Sequence, residues 1–234
     1  MIGTLINVGT VLLGGALGLL LGSRLKARLK ETVVAGIGLF TLVYGVSLFL
    51  KTENSLIVLG SVLIGVLLGE WWKIEDGLNH LGVWLEAKFN RNHTGETNDQ
   101  FIKGFVTASL VFCIGPMAIL GSIQDGLTGN YDTLVIKSIL DGFSAMAFAS
   151  SLGAGVLFSS VMILLYQGSI TLLAGQLQAL ATTSMMNELS ATGGVLLVAI
   201  AVSSLLEIKK IRTGSFLPAL IIAPLIVWIL SLVH

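Results

Sequence analysis

The chain has 234 residues, of which 54% are hydrophobic and only 11% are charged, against roughly 25% charged residues in an average soluble domain. Its formal net charge is zero, so it has no basic field with which to attract nucleic acid. These numbers exclude a soluble domain and a nucleic-acid-binding protein, and they predict an all-α polytopic bundle of membrane-spanning helices, with residues 1–234 forming a single membrane domain in a lipid bilayer.

The first three apolar stretches are each long enough to cross a bilayer as a helix. They cover residues 2–22, 33–50 and 55–72. The first stretch has no basic residues before it and no small-residue cleavage site after it, so we expect a retained span and not a signal peptide. Basic loops face the cytoplasm, and a basic segment follows this span, which predicts an N-terminus outside. The segment contains Arg24, Lys26, Arg28 and Lys30.

The longest polar connection, residues 73–100, is predicted to be cytoplasmic. Its first part has apolar residues at helical spacing with acidic and basic residues between them, which is typical of an amphipathic helix lying in the membrane interface. The apolar positions are Ile74, Leu78, Leu81, Leu85 and Phe89. Residues 90–100 are predicted to form a solvated loop.

Five further spans complete a predicted bundle of eight, with seven as the alternative if one of the short middle segments does not cross. They cover residues 101–123, 133–152, 153–174, 191–206 and 215–233, and residues 124–132 form an outer loop. The less apolar segment 175–190 is predicted to be an outer re-entrant piece or an interfacial helix. In this topology the basic residues Lys209, Lys210 and Arg212 lie on the cytoplasmic side without any change to the predicted spans. They are therefore an independent check on the topology.

An internal repeat is suggested by a shift of 53 residues, which lays Phe105 on Phe158 and Gly115 on Gly168. The pairing predicts that the fourth and fifth spans resemble the sixth and seventh. Transporters are often built from such repeats, with the binding site at the repeat interface. Chance similarity is the alternative, because membrane sequences use a small alphabet.

The fifth span carries the residues whose burial in a membrane helix is energetically most unfavourable. Lys137 and Asp141 are four residues apart and share a helix face with Ser144. A lone charge at the centre of a membrane helix costs about 2.5 to 3.5 kcal/mol, so such residues pair or line a wet cavity. Asp141 is therefore the candidate cation or proton site, with Lys137 as its counter-charge. A structural ion pair that fixes the helix register is the alternative.

The fourth span contains a predicted break. Gly115 and Pro116 lie in its middle, where proline removes a backbone donor and clashes with the preceding turn. The freed carbonyl groups would need protein or a water-lined cavity as partner, and a tolerated kink is the alternative. At the outer end of this span, Gln124 and Asp125 are either an entrance site or a turn that ends the helix.

Two amides inside apolar segments complete the candidate site. Asn7 gives the first span a polar stripe, with pore lining or interhelical hydrogen bonding as its role. Gln167 lies just before Gly168, the repeat equivalent of Gly115, and is predicted to face the same cavity. A spaced small-residue face on the first span permits close packing, within the chain or across a dimer. It consists of Gly14, Gly18 and Gly22.

Enzyme chemistry is not expected, and no cofactor or metal is predicted. The three histidines lie outside the spans, so a buried haem held by paired histidines has no ligands, and no cysteine and histidine cluster offers a zinc site. They are His80, His93 and His234. The phosphate-binding and zinc-protease motifs are absent. Asp125 and Asp141 are the visible candidate pair for an intramembrane aspartyl protease, but their predicted depths separate them.

Four motifs together resemble a known family: GTLIN, FCIGPMAILGSIQDG, KSILDG and YQGSITLLA. Through them the chain resembles an uncharacterised bacterial inner-membrane family, typified by the proteins called YdfK and YqgA. The resemblance covers essentially the whole chain. It implies a bacterial cytoplasmic membrane location and a domain of unknown function, and it supplies no substrate and no catalytic residues.

The residues favour an integral membrane transporter or channel for a small ion or polar solute, proton-coupled if Asp141 titrates. The alternative is a non-transporting membrane scaffold or sensor whose buried polar residues only specify packing. A homodimer is expected under either interpretation.

Overall fold

The fold is all-α, as predicted. The structure is a computed structural model that describes residues 1–23, 26–89, 96–178 and 182–233, so Arg24, His93 and His234 lie outside the described residues. The described part contains helices and no strand. The helices are α1 (Ile2–Gly22), α2 (Ala27–Phe49), α3 (Ser55–Trp71), α4 (Ile74–Phe89), α5 (Glu96–Cys113), α6 (Pro116–Thr128), α7 (Asp132–Leu152), α8 (Gly155–Leu172), α9 (Ala174–Leu177), α10 (Thr183–Ile200) and α11 (Ala219–Val233).

Six helical segments in the described residues are long and apolar enough to cross a membrane, and up to eight if each of two bent helix pairs is counted as one span. The predicted eight spans are the upper end of this range. The chain divides into two compact units. The first unit contains residues 1–37, 78–113 and 117–176, and the second contains residues 38–77, 114–116 and 177–234.

The first unit is built on the close packing of α1 against α7. At three successive turns of α1, a glycine lies so close to α7 that an added Cβ would overlap a backbone carbonyl oxygen. The facing pairs are Gly14 with Gly142, Gly18 with Met146, and Gly22 with Ser150. From one pair to the next, the residue numbers on both helices increase, so α1 and α7 run parallel. The predicted glycine face is therefore used within the chain, which leaves it unavailable to a second copy.

The predicted break in the fourth span is confirmed between α5 and α6, which are bent by 62°. Gly115 has a φ of +135°, a conformation that residues with a side chain rarely adopt. Pro116 is the first residue of α6, where its missing N–H needs no helical partner. The chain thus turns at Gly115, after the end of α5, and Pro116 starts α6 instead of kinking a continuous helix.

Three predicted boundaries are wrong, because polar residues in this chain also occur inside helices. Helix α6 continues to Thr128, which shortens the outer loop to residues 129–131. Residues 96–100 form the beginning of α5 and not a solvated loop. In the segment 175–190, residues 183–190 belong to the long helix α10, whose N-cap Thr182 accepts a hydrogen bond from the Met185 backbone N–H. An outer re-entrant piece is therefore excluded for them.

The predicted interfacial helix corresponds to α4, in which Leu85 is buried. The repeat stays a prediction, but its two halves differ at one point. Helix α8 runs unbroken through Gly168, whereas its predicted equivalent, Gly115, separates two helices.

The second unit contains a buried acid at the beginning of α3. Glu188 of α10 is 1% exposed and accepts hydrogen bonds from the Thr52 hydroxyl at 2.8 Å and from the backbone N–H groups of Glu53 and Asn54 at 2.7 and 2.9 Å. The free N–H groups and the positive dipole end at a helix N-terminus favour such a carboxylate. Glu188 therefore fixes the start of α3.

At its other end, α3 packs against the chain around a 3₁₀ turn, Thr213–Phe216. Glu70 accepts hydrogen bonds from Arg212 at 2.8 Å and from the Ser215 hydroxyl at 2.7 Å. Gly65 of α3 faces Ala219, and Gly69, four residues later, faces Ser215. Because the residue numbers change in opposite directions, α3 runs antiparallel to the segment that leads into α11.

Candidate functional site

Four polar side chains of the first unit meet between α1, α7 and α8. Asn7 Nδ2 lies 3.0 Å from Asp141 Oδ2 and 3.3 Å from Gln167 Oε1, and donates a hydrogen bond to each. The Lys137 ammonium forms an ion pair with the same oxygen of Asp141. We call Asn7, Lys137, Asp141 and Gln167 the polar cluster. All four residues are predicted site residues, and the structure brings them together.

The polar cluster is almost completely buried. Asn7 and Gln167 are 0% exposed, and Lys137 and Asp141 are 6% and 8% exposed. Its two charges cancel, which relieves most of the cost of placing either one in a membrane span. The pair comes from one helix at a spacing of four residues, so it forms without help from a neighbouring element.

Hydrogen bonding in and around the polar cluster is incomplete. Asn7 Oδ1 and Gln167 Nε2 are buried without a hydrogen-bond partner among the described residues. The same is true of Thr4 Oγ1, which lies one turn before Asn7 on α1. Both bonds to Asp141 go to Oδ2. Since an unsatisfied buried polar group costs about 1 to 3 kcal/mol, a site built only for packing would be expected to pair these atoms.

Two more unpaired hydroxyl groups of the first unit flank the helix break. Ser109 of α5 and Ser122 of α6 are buried, and their oxygens lack a partner in the described part of the chain. Cys113 is the last residue of α5. These residues are not among the predicted site residues, because serine and cysteine are common in membrane helices. Their position beside the Gly115 break was the available signal.

Asp125 holds the beginning of α1. It is 5% exposed, and its Oδ2 accepts a hydrogen bond from the Gly3 backbone N–H at 3.1 Å and lies 3.0 Å from the Met1 amino group. Its neighbour Gln124 accepts a hydrogen bond from the Thr133 hydroxyl at 2.8 Å. Both residues lie inside α6, so the predicted helix-ending turn at this point is wrong. Their role as an entrance stays a prediction.

The remaining candidates lie apart from these contacts. Ser144 is half-buried one turn after Asp141, and no hydrogen bond joins it to the polar cluster among the described residues. Gly115 contributes the break between α5 and α6. The side chain of Pro116 lies outside the described part of the structure.

Comparison with known proteins gives a family without a known activity. A family model described as a protein of unknown function, DUF554, matches residues 2–228. The chain is 36% identical to the "Uncharacterized protein YqgA" of Escherichia coli (strain K12) over 222 residues, which cover 95% of this chain and 94% of that protein. It is 28% identical to the "Uncharacterized membrane protein YdfK" of Bacillus subtilis (strain 168) over 234 residues, covering 98% and 97%.

No solved structure matches the chain. The name of the Bacillus relative agrees with the long apolar helices described above, and the two observations together identify a membrane protein. The predicted resemblance is confirmed by the match over nearly the whole length, and the chain belongs to the DUF554 family.

Proposed function

We propose that the protein is a transporter for a small ion or polar solute, with Asp141 of the polar cluster at its binding site. The observation that carries the proposal is a buried, charge-bearing cluster whose amide groups are only partly hydrogen-bonded. It lies on α1, α7 and α8, which are all candidate membrane spans. Ionisable residues within spans usually mark substrate, ion or proton pathways.

The broken helix supports the same proposal. The interruption between α5 and α6 leaves backbone groups without helical partners, and within a membrane such groups must be satisfied by protein or by a water-filled cavity. Transporters place discontinuous helices of this kind around their sites. Protonation of Asp141 would remove its charge and release Lys137, which gives proton coupling a physical basis through a shift between two conformations.

Flux through proteoliposomes tests the proposal. Purified protein is reconstituted, and currents and tracer uptake are followed after ion and pH jumps for the wild type and Asp141→Asn. Asp132→Asn is the matched control, because Asp132 lies on the same helix but is exposed. We expect flux in the wild type and the control and its loss in Asp141→Asn.

Two results would count against the proposal. Equal flux in the wild type and Asp141→Asn would remove Asp141 from the site and end the proton-coupling hypothesis. Absence of flux for every ion and solute, with folded and inserted protein, would favour the scaffold or sensor interpretation, in which Asp141→Asn lowers stability alone.

The location and assembly belong to the proposal as well. We place the protein in the bacterial cytoplasmic membrane with its N-terminus outside, on the positive-inside rule. A homodimer stays a prediction, and the glycine face of α1 no longer supports it, because α7 covers that face. Light scattering in detergent distinguishes the 24.6 kDa monomer from a dimer.

A further inference from the structure

We propose that the Lys137 ammonium occupies a binding site for a monovalent cation and that the transported cation takes its place on Asp141. This inference rests on the proposed function, since it names the substrate class of the same site. It follows from the atoms that surround the ion pair and from the charge that the site can hold.

In the described part of the chain, oxygens without a hydrogen-bond partner belong to Asp141, to Asn7 and to Thr4, one turn before Asn7 on α1. Asp141 contributes Oδ1, which accepts no hydrogen bond from the described residues, and Asn7 contributes the buried Oδ1 that has no partner. Thr4 adds a buried hydroxyl oxygen on the same face of α1. Oxygens of carboxylate, carbonyl and hydroxyl groups are the ligands that replace the water shell of alkali cations.

The charge of the site fits a single positive charge. Lys137 and Asp141 together are neutral. A monovalent cation on Asp141 forms a pair that is again neutral, and the exchange balances when the displaced Lys137 ammonium moves out to water or gives up its proton. A divalent cation would leave a buried net charge, which is costly. Such ions are usually held by several carboxylate oxygens, and no group of three or more His, Cys, Asp or Glu side chains converges in the described parts of the chain.

Lys137 is suited to leave the site. Its ammonium is a point charge on a flexible four-carbon stem, and it contacts only one oxygen of Asp141. A tethered cation with these properties competes with a free one for the same carboxylate. Removal of the competing ammonium should therefore expose the affinity of the site for free cations.

Thermal unfolding of the purified full-length protein in detergent tests the inference. Lys137→Met keeps most of the apolar stem and removes the charge. The wild type and this variant are titrated with lithium, sodium, potassium and methylammonium chloride, at an ionic strength held constant with N-methylglucamine chloride. Stabilisation by the alkali ions identifies a metal ion as the cation, and stabilisation by methylammonium alone identifies an organic ammonium.

We expect at least one of these cations to stabilise Lys137→Met at a concentration about a hundredfold lower than the wild type requires. Adding Asp141→Asn to the variant should abolish this response. Lys51→Met is the matched control, because Lys51 is exposed in the α2–α3 loop, and it should respond like the wild type.

The inference is overturned if folded Lys137→Met shows no specific response to any of the four cations, or if the response survives Asp141→Asn. If Lys137→Met does not fold, Lys137→Gln is measured in the same way. Failure of both variants to fold in every salt also counts against the inference, because a bound cation should restore the charge balance. Flux in the wild type without a cation response in the variants would refute the inference alone, whereas the reverse result would refute the transport proposal alone.

Discussion

Asn7 holds the polar cluster together with a single amide nitrogen. Its Nδ2 reaches α7 through Asp141 and α8 through Gln167, and the residue is 0% exposed. In Asn7→Ala, Asp141 keeps Lys137, but Gln167 Oε1 is left buried without the donor it has in the wild type. We expect the free energy of unfolding in detergent to fall by about 1 to 3 kcal/mol.

The control for this substitution is Ser169→Ala on α8. Ser169 is exposed, and its hydroxyl donates to the Tyr166 carbonyl oxygen of its own helix. The change should stay within about 0.5 kcal/mol of the wild type. Equal losses in the two variants would show that the contacts of Asn7 contribute nothing beyond a surface hydroxyl.

The members of the site could be predicted from the sequence, but not their contacts. Asn7, Lys137, Asp141 and Gln167 stand out because polar groups are costly in apolar spans. These side chains meet through long-range contacts: Asn7 is 134 positions from Asp141 and 160 positions from Gln167. The packing of α1 on α7 determines these contacts. Glu188 is not predicted as a buried residue, since the moderately apolar segment around it favours an outer re-entrant piece or an interfacial helix.

The contact between α1 and α7 places three glycines of α1 directly against backbone carbonyl oxygens of α7. In Gly18→Ala the new methyl group would overlap the Met146 carbonyl oxygen, which belongs to the backbone and cannot rotate away. We expect a loss of about 1 to 3 kcal/mol in the free energy of unfolding, because the two helices must separate.

Gly9→Ala on the same helix is the matched control. Beyond its chain neighbours and the backbone of its own helix, no atom of the described residues lies within 4 Å of a Cβ added at Gly9, and alanine favours a helix over glycine by up to about 1 kcal/mol. This variant should equal or exceed the stability of the wild type. A similar loss at both positions would contradict the packing of α1 on α7.

The loop before α3 carries a pH-dependent contact. Hydrogen bonds from Ser184 and, to a lesser extent, Asn187 lower the pKa of Glu53 below its ordinary value of 4.5. A lowered pKa in the folded state means that the contribution is present above the ordinary pKa and is lost as the pH falls through the lowered one. Unfolding measured between pH 7 and pH 3 should therefore show a smaller acid-induced loss for Glu53→Gln than for the wild type, and parallel curves would contradict this contact.

The helices themselves were largely predictable, because long apolar stretches have few alternatives in a membrane. Their ends were not. Helix α10 follows the N-cap Thr182 and begins at Thr183, eight residues before the predicted span 191–206. Glu188 is tolerated inside α10 because the backbone N–H groups of Glu53 and Asn54 satisfy its carboxylate. A polar residue in such a chain indicates a boundary only when no partner elsewhere in the fold is available to it.

For the whole molecule, the direction of the chain across the membrane is the property on which a transport mechanism depends. Helices α1 and α7 run parallel, so the N-terminus and the loop 129–131 lie on one side. Helices α7, α8 and α10 separate this loop from the basic residues that follow α10. If each of these three helices crosses the membrane, we expect those residues on the opposite side, and the positive-inside rule predicts that this side is the cytoplasm. They are Lys209, Lys210 and Arg212.

Labelling of single cysteines checks this orientation. The one cysteine of the chain, Cys113, is replaced by alanine, and Asn130→Cys or Lys210→Cys is introduced. A membrane-impermeant maleimide added to intact bacterial cells should label Asn130→Cys, and it should reach Lys210→Cys only after permeabilisation. The reverse pattern would place the N-terminus inside, and labelling of both sites in intact cells would contradict three crossings between them. With the expected pattern, the N-terminal end of α1 and Asp125, which caps it, lie toward the outer side, as the proposed entrance at Asp125 requires.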